Sequence, residues 1–436
     1  MHGMDAELYQ PSGQAILAER RFCPTRDCYS YGEVQNLVDG TEMKRAVQFG
    51  AGNIGRGFMG QLLWEAGFEI TFVEADKQLV SSLNDCGKYP LQLLDAYSGE
   101  KRTVIIDGFV AIATDQRDKV ATAIARAALV ATAVGVKNLE AVSIVLAEGI
   151  GRRFEQNPIP LDVFLCENMF GAASLLEEQV TRLLAGPTQR WAKENIGFVG
   201  TSVARMVASS RQQKHQESLL IVADSYRKLP YDGQASKAGD PSIEGFYPVR
   251  HFRAEMERKL FTHNLGHASL AYLGYLGGYT YIHEPFEDVL ISSVFEKALD
   301  ETSQALLRRY PDALDSQEHL QVRRDVRTRF GNSMISDAIV RVAKDPIRKL
   351  GPGDRLIGSA RLCLEEGVFP ESIARICGAA LCYDFKGDAE ALKLQEMIWA
   401  KGVENTLERI SHIEVSSPFG QRVIESYHDL MEKRTH

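Results

Sequence analysis

Residues 259–267 place a lysine, two histidines and an asparagine within a short apolar segment. The segment reads Lys259-Leu260-Phe261-Thr262-His263-Asn264-Leu265-Gly266-His267. An α-helix turns about 100° per residue, so Asn264 lies roughly 140° and His267 roughly 80° from Lys259. A helix here would aim an amine, an imidazole and an amide into one arc. Burial would lower the pKa of the amine, as suits a lysine that must be neutral to accept a proton. The alternative is a surface helix end with a solvated Lys259 and a core His267.

A glycine-rich turn near the start of the chain predicts a dinucleotide site. A short strand at 46–49 runs into Gly50-Ala51-Gly52-Asn53-Ile54-Gly55, a helical pattern follows, and a second strand ends at Glu74. The first glycine permits a tight turn, the second lets backbone approach a pyrophosphate, and the third lets helix and strand pack closely. Glu74 can accept hydrogen bonds from the ribose hydroxyls of NAD and would repel the 2′-phosphate of NADP. We therefore expect NAD as the cofactor, with a glycine turn of an unrelated α/β domain as the alternative.

Two further strand ends carry candidate site residues. The apolar run 129–135 ends in Ala133-Val134-Gly135, and the strand 161–165 is followed by Cys166-Glu167-Asn168. Ligands of doubly wound sheets bind at the carboxyl ends of the strands. We therefore expect the first strand end to border the cofactor and Asn168 to touch the nicotinamide or the substrate. A turn-forming role for Asn168 is the alternative.

The order of the patterns predicts two domains. A chain of 436 residues exceeds the size at which a single core tends to divide. Strands and helices alternate up to about residue 250, and long helical patterns such as 254–277 and 286–310 follow. The fold class is therefore α/β, with a Rossmann-type NAD-binding domain at 44–245 and a mostly α-helical substrate and catalytic domain at 246–436. We expect residues 1–43 to be a poorly ordered extension.

The composition excludes several classes of protein. A hydrophobic content of 44% and a charged content of 25% are typical of globular proteins, and the net charge of −8 disfavours a nucleic-acid partner. No apolar run is long enough to span a membrane, and the N-terminus lacks the pattern of a signal peptide. The seven cysteines include no C-x-x-C pair, so neither a disulfide framework nor a zinc site is expected. A cytoplasmic protein without a metal fits these features, and the oligomeric state is left open.

Several motifs, in one order along both predicted domains, resemble the polyol-specific long-chain dehydrogenase/reductase family. The resemblance extends from about Lys44 to near the C-terminus. It implies a metal-independent, NAD-dependent interconversion of a polyol phosphate and a ketose phosphate, with mannitol 1-phosphate and fructose 6-phosphate as the expected pair. The motifs are the glycine turn, Thr132-Ala133-Val134-Gly135, Cys166-Glu167-Asn168-Met169, Glu257-Arg258-Lys259-Leu260-Phe261-Thr262 with Asn264 and His267, and Arg348-Lys349-Leu350 with Gly353-Asp354-Arg355-Leu356.

The resemblance also implies roles for individual residues. By position, Lys259 matches the general base of the family, and Asn168, Asn264 and His267 match its partners. The chemistry agrees, because a hydride can leave a secondary alcohol only as the hydroxyl proton is removed, and a neutral lysine can take that proton. The two asparagines would hold the developing alkoxide by hydrogen bonds, and His267 would hold a substrate hydroxyl.

Departures from the family pattern concern the substrate more than the reaction. Val203-Ala204-Arg205 stands where Val-Asp-Arg is common, Asp224 replaces a glutamate, and His263 replaces an apolar residue. We expect Arg205 and His263 to contact the substrate and Arg355 to grip a phosphate. A solvent-facing His263 and an Arg355 that only braces a helix are the alternatives.

Two other functions therefore stay open. One is the same chemistry on another polyol, polyol phosphate or sugar acid. The other is an NAD(H)-binding protein that has lost catalysis.

Overall fold

The computed structural model describes residues 44–208 and 219–435, so the extension expected at residues 1–43 lies outside the described residues. Strands and helices alternate in the first part of this range, and helices dominate after about residue 250. None of the helices that the structure describes combines the length and the apolar character needed to cross a membrane. The α/β fold with a mostly helical C-terminal part is confirmed.

A parallel sheet of six strands organises the first part of the described chain. Its order is β5-β2-β1-β6-β7-β8. The chain connects β1 to β2 and β5 on one side, and β6 to β7 and β8 on the other, so the strand order reverses between β1 and β6. In doubly wound sheets a crevice for ligands opens at the carboxyl ends of the two strands where the order reverses. The strands are β1 Arg45–Phe49, β2 Glu69–Glu74, β3 Lys88–Leu94, β4 Lys101–Asp107, β5 Phe109–Ala113, β6 Leu129–Thr132, β7 Leu161–Leu165, β8 Ile196–Gly200, β9 Ile221–Asp224, β10 Leu229–Asp232 and β11 Phe246–Val249.

Helices cover both faces of this sheet, which explains its uninterrupted apolar strands. Within β6, Leu129 and Ala131 pack into one hydrophobic cluster, whereas Val130 packs into the cluster on the opposite face. A strand that is buried on both faces needs apolar residues at every position. The helices are α1 Gly60–Glu65, α2 Lys77–Cys86, α3 Arg117–Arg126, α4 Leu139–Gln156, α5 Ala172–Leu183 and α6 Gly186–Asn195.

The remaining strands form two small sheets beside the main one. Strand β3 pairs antiparallel with β4 and parallel with β9, and β10 pairs parallel with β11. The polar loop between β10 and β11 folds onto Asp162 of β7. That carboxylate accepts hydrogen bonds from the Ser236 hydroxyl at 2.6 Å and from the backbone N–H groups of Lys237 and Ala238 at 2.7 and 3.2 Å.

The helical part is built around α8. Residues around nearly the whole circumference of this helix are buried, as expected for a helix at the centre of a core. The helix predicted at 254–277 is confirmed as α7, a π-helical turn at Lys259–Asn264, and α8. The helices are α7 Phe252–Arg258, α8 Leu265–Leu276, α9 Val289–Arg309, α10 Ser316–Phe330, α11 Ile339–Ala343, α12 Pro346–Lys349, α13 Ile357–Glu365, α14 Glu371–Leu381, α15 Ala389–Lys401, α16 Val403–Ser411 and α17 Pro418–Thr435.

Candidate active site

The π-helical turn changes the geometry that a regular helix predicts for Lys259 and Asn264. After this turn the backbone N–H of Leu265 donates to the carbonyl of Leu260, five residues earlier, rather than four. In a π-helix residues five apart are joined in this way, so they follow one another on the same side of the helix. The turn therefore brings Lys259 and Asn264 closer to alignment than the roughly 140° separation of a regular α-helix.

Lys259 has the environment that proton transfer requires. Its Nζ donates a 3.0 Å hydrogen bond to Oδ1 of Asn168, which follows the carboxyl end of β7. Burial, with an additional effect of the Arg355 guanidinium, lowers the pKa of Lys259 to about 7, although the carboxylate of Asp354 acts in the opposite direction. The ammonium and the neutral amine are then both populated near neutral pH. Lys259 can thus accept or donate a proton.

His267 is held in place by a carboxylate that the sequence did not single out. Its Nε2 lies 2.9 Å from Oδ2 of Asp337, and its ring stacks on Phe330 with centroids 4.6 Å apart. Arg341 in turn donates to Asp337 at 2.8 Å. Burial lowers the pKa of His267, although Asp337 opposes this effect. In the neutral ring with hydrogen on Nε2, Nδ1 remains as an acceptor for a hydroxyl group.

His263 is buried rather than exposed to solvent, so the alternative of a solvent-facing histidine is wrong. Its side chain lies 4.9 Å from the ring of Phe330 and 6.0 Å from that of His267, between centroids. Burial holds the pKa of His263 well below its usual value, and nearby positive charges add to this effect, Arg329 most strongly. Its Nδ1 is buried and has no hydrogen-bond partner within the described chain. Its contact with the substrate stays a prediction.

One cleft collects most of the predicted catalytic residues. It has a volume of about 380 Å³ and also touches Asn53 and Ile54 of the glycine turn, so it joins the predicted cofactor site to the lysine. Several cationic side chains of α11, α12 and the following loop complete it. The predicted catalytic and substrate-binding residues that line it are Asn168, Arg205, Lys259, His263, Asn264, His267 and Arg355.

Arg205 borders this cleft but does not present its side chain there. The guanidinium is fully buried and donates to the carbonyl oxygens of Asp224 at 3.0 Å and Gly57 at 2.9 Å, and to Oε1 of Gln61 at 2.7 Å. A guanidinium with no exposed surface has no route to a ligand in the cleft. The predicted substrate contact of Arg205 is therefore corrected to a structural role, which is to join the start of the first helix to β9.

Ala204 separates the cleft from a second cavity. This cavity has a volume of about 320 Å³, and Ala204, Lys259 and His263 line both spaces. The carbonyl of Ala204 accepts a hydrogen bond from Arg329, which also pairs with Asp224 at 2.5 Å. The small alanine side chain leaves the two spaces adjacent, with the unpartnered His263 beside both.

The glycine turn has the room that a dinucleotide requires. Gly50 has a φ of +84°, and a Cβ there would lie 2.4 Å from the Ala133 carbonyl oxygen, so only glycine fits. A Cβ on Gly52 would meet no protein atom within 4 Å, so this backbone faces open space. Both glycines line a cleft of about 560 Å³ together with Glu74 and Val134. The residues present therefore fit a nucleotide cofactor.

Two carboxylates shape this nucleotide cleft. Glu74 accepts hydrogen bonds from the backbone N–H groups of Ala51 at 2.8 Å and Ala75 at 2.7 Å. Glu167, which the sequence did not single out, accepts from the N–H groups of Val134 at 2.9 Å and Gly135 at 2.8 Å. Val134 thus borders the cleft with its N–H group already satisfied. Glu167, which directly precedes Asn168, ties the loop of Val134 and Gly135 to the segment that follows β7.

The described side chains do not form a metal site. Within residues 44–208 and 219–435, no three His, Cys, Asp or Glu side chains gather in a group that could hold a metal ion. Metal independence stays a prediction.

Sequence comparisons identify the family. The model of the mannitol dehydrogenase Rossmann domain matches residues 44–245, and that of the mannitol dehydrogenase C-terminal domain matches residues 251–431. Mannitol-1-phosphate 5-dehydrogenase of Brevibacillus brevis is 40% identical over 89% of this chain and 98% of its own length. The Bacillus subtilis enzyme of the same name is 35% identical over 86% of this chain and 96% of its own length.

A solved structure shows the same fold. It is the Pseudomonas fluorescens mannitol 2-dehydrogenase ternary complex with NAD and D-mannitol, which is 17% identical with a TM-score of 0.71 and covers 90% of this chain and 92% of that one. The matched family models extend over both parts of the chain that carry the site described above. The chain therefore belongs to the mannitol dehydrogenase family.

Proposed function

We propose that this protein is an NAD-dependent dehydrogenase that interconverts a polyol phosphate and a ketose phosphate, with mannitol 1-phosphate and fructose 6-phosphate as the first pair to test. The names of the similar Brevibacillus and Bacillus enzymes support this substrate class. In this proposal residues 44–245 hold the cofactor, and residues 246–436 supply Lys259 and most substrate contacts. The observation that carries the proposal is a lysine that donates to Asn168 and lines a cleft that also reaches the glycine turn. Burial, which lowers the pKa of this lysine, suits it to proton transfer.

Lys259 performs the proton transfer. In its neutral form it accepts the proton of the substrate hydroxyl, and in the reverse direction its ammonium donates that proton to the carbonyl oxygen. The hydrogen bond from Nζ to Oδ1 of Asn168 occupies one N–H of the amine and so orients its lone pair. The bound NAD supplies the hydride acceptor.

Amide groups of two asparagines stabilise the charge that develops on the substrate oxygen. Asn168 uses its Oδ1 to accept from Lys259, which leaves its NH₂ group free to donate elsewhere. Asn264 lies on the same π-helical turn as the lysine and lines the same cleft. Two such donors act as an oxyanion hole does, because they are aimed before the charge appears. His267, oriented by Asp337, accepts a hydrogen bond from another hydroxyl group of the substrate through its Nδ1.

A substrate panel tests the reaction. NADH formation is followed with mannitol 1-phosphate, mannitol, other polyol phosphates and sugar acids, and we expect mannitol 1-phosphate to give the highest kcat/KM. The cavity beside Ala204 and His263 favours a second candidate function, which is the same chemistry on a different polyol or sugar acid. A higher kcat/KM with one of those compounds than with mannitol 1-phosphate would support this second function. NADH binding without turnover on any member would instead identify a protein that has lost catalysis.

Replacement of the lysine tests the mechanism. Lys259→Met should reduce kcat by at least about 100-fold, the range attributed to general acid–base catalysis, while NADH affinity stays near the wild-type value. Lys297→Met is a matched control, because Lys297 is an exposed lysine of α9 outside this cleft. Turnover by Lys259→Met at the rate of this control would refute the assignment of the base.

A further inference from the structure

The cleft contains a buried ammonium group that the proposed proton transfer does not use. Lys349 ends α12, and only 4% of its surface is exposed. It lines the same cleft as Lys259, yet its side chain has no hydrogen bond or ion pair with any described residue. A buried charge without a partner is costly to the folded protein. A site of this kind is expected where a ligand supplies the missing partner.

The neighbours of Lys349 are also cations. Burial, together with the nearby Arg355 and Arg348, lowers the pKa of Lys349 to about 7, although the carboxylates of Asp345 and Asp354 act in the opposite direction. Both arginines share a single carboxylate, Asp354, at 2.5 Å from Arg348 and 2.8 Å from Arg355. Three cations therefore face one carboxylate, which leaves two positive charges when Lys349 is protonated. Asp345, the other nearby acid, also lines the cleft, and so does the neighbouring exposed Lys344, which carries the opposite charge.

We propose that Lys349, together with Arg348 and Arg355, binds the phosphate group of the substrate, an assignment that rests on the proposed function. A phosphate monoester carries a charge between −1.5 and −2 near neutral pH, which matches the excess positive charge of this group. Its oxygens can accept from the ammonium and from a guanidinium at the same time. Lys349 thus selects phosphorylated substrates, and Lys259 acts on the hydroxyl.

The decisive variant is Lys349→Met, which removes the charge and nearly preserves the shape. We expect it to raise KM for mannitol 1-phosphate, and the inhibition constant of inorganic phosphate, by about 10- to 100-fold, the loss expected for one or two hydrogen bonds to a charged group. NADH affinity and the rate with unphosphorylated mannitol should stay near wild type. Because no ion pair is lost, the thermal unfolding temperature should not fall. Lys297→Met again controls for the loss of one positive charge.

Direct binding of inorganic phosphate, measured by calorimetry, separates this inference from the proposed function. If wild type binds phosphate through Lys349 but oxidises no phosphorylated polyol, the proposed reaction fails and the anion site stands. If wild type oxidises mannitol 1-phosphate and Lys349→Met does so with the same KM, the site assignment fails and the reaction stands. An equal loss with phosphorylated and plain mannitol, or stronger binding of a sugar acid than of phosphate, would also overturn the assignment.

Discussion

The pH dependence of turnover tests the environment of Lys259 most directly. At pH 7 a lysine with its ordinary pKa of 10.5 is neutral in about one molecule in 3000, whereas one whose pKa is about 7 is neutral in about half. The oxidation of the polyol needs the neutral amine, so its kcat should rise about tenfold per pH unit below 7 and level off above. The reduction of the ketose needs the ammonium, so its kcat should be constant below about pH 7 and fall above it.

The assay follows NADH at saturating substrate and nucleotide in both directions across the neutral range. A substrate deuterated at the reacting carbon checks that hydride transfer limits the rate. The pKa values of His263 and His267 lie below the usual value for histidine, so both rings stay neutral above pH 7. Saturating substrate removes the effect of Lys349 from the measured kcat, because the protonation of Lys349 changes KM. Inflections near pH 10, or profiles that run in the same direction for both reactions, would refute the reasoning.

A charge change near the lysine extends this test. The guanidinium of Arg355 is the second cause of the lowered pKa of Lys259. Arg355→Met should therefore move both inflections to higher pH, even though it also raises KM for a phosphorylated substrate. An inflection that stays in place would show that burial alone controls the amine.

Three further predictions concern the cofactor turn, His263 and a buried ion pair. Gly52→Ala should weaken NADH binding in a fluorescence titration without lowering the unfolding temperature, because a Cβ at residue 52 meets no protein atom. Gly50→Ala should lower the unfolding temperature, because a Cβ at residue 50 collides with the carbonyl of Ala133. His263→Leu removes a buried nitrogen that has no partner, so the free energy of unfolding should fall by less than about 1 kcal/mol or rise. Arg329→Met should reduce the free energy of unfolding in urea by about 3–5 kcal/mol, because Asp224 then loses its main partner. An unchanged urea midpoint would contradict this last prediction.

Local patterns were sufficient to predict the main sheet, because each of its strands is a short apolar run. The strands β3, β10 and β11 were not predicted. Each contains a proline, Pro90, Pro230 or Pro248, and proline within a run argues against a strand. Strands β10 and β11 form a sheet of only two strands, and Pro90 precedes the part of β3 that pairs with β9. At each of these prolines, fewer backbone N–H groups are therefore needed for pairing.

The site was only partly predictable, because its residue types were visible and their orientation was not. Lys259 and Asn168 stand next to recognisable motifs, and they meet in the structure at 3.0 Å. Asp337 and Glu167 position the site through partners 70 and about 32 residues away, which no local pattern connects. Arg205 shows the opposite error, because a buried structural arginine and one that faces a cleft look alike in a sequence.

The π-helical turn at Lys259–Asn264 makes the site sensitive to the number of residues as well as to their identity. Deletion of one residue within this turn, for example Phe261, would allow the ordinary hydrogen-bond ladder to continue from α7 into α8. The amide of Asn264 would then follow the lysine by four residues of a regular helix, about 40° around its axis, so the two side chains would stay on one side of the helix. With no deletion, a regular helix would place them about 140° apart, so the spacing of five residues depends on the π-helical turn. Relatives that lack this turn should therefore have one residue fewer between the lysine and the asparagine.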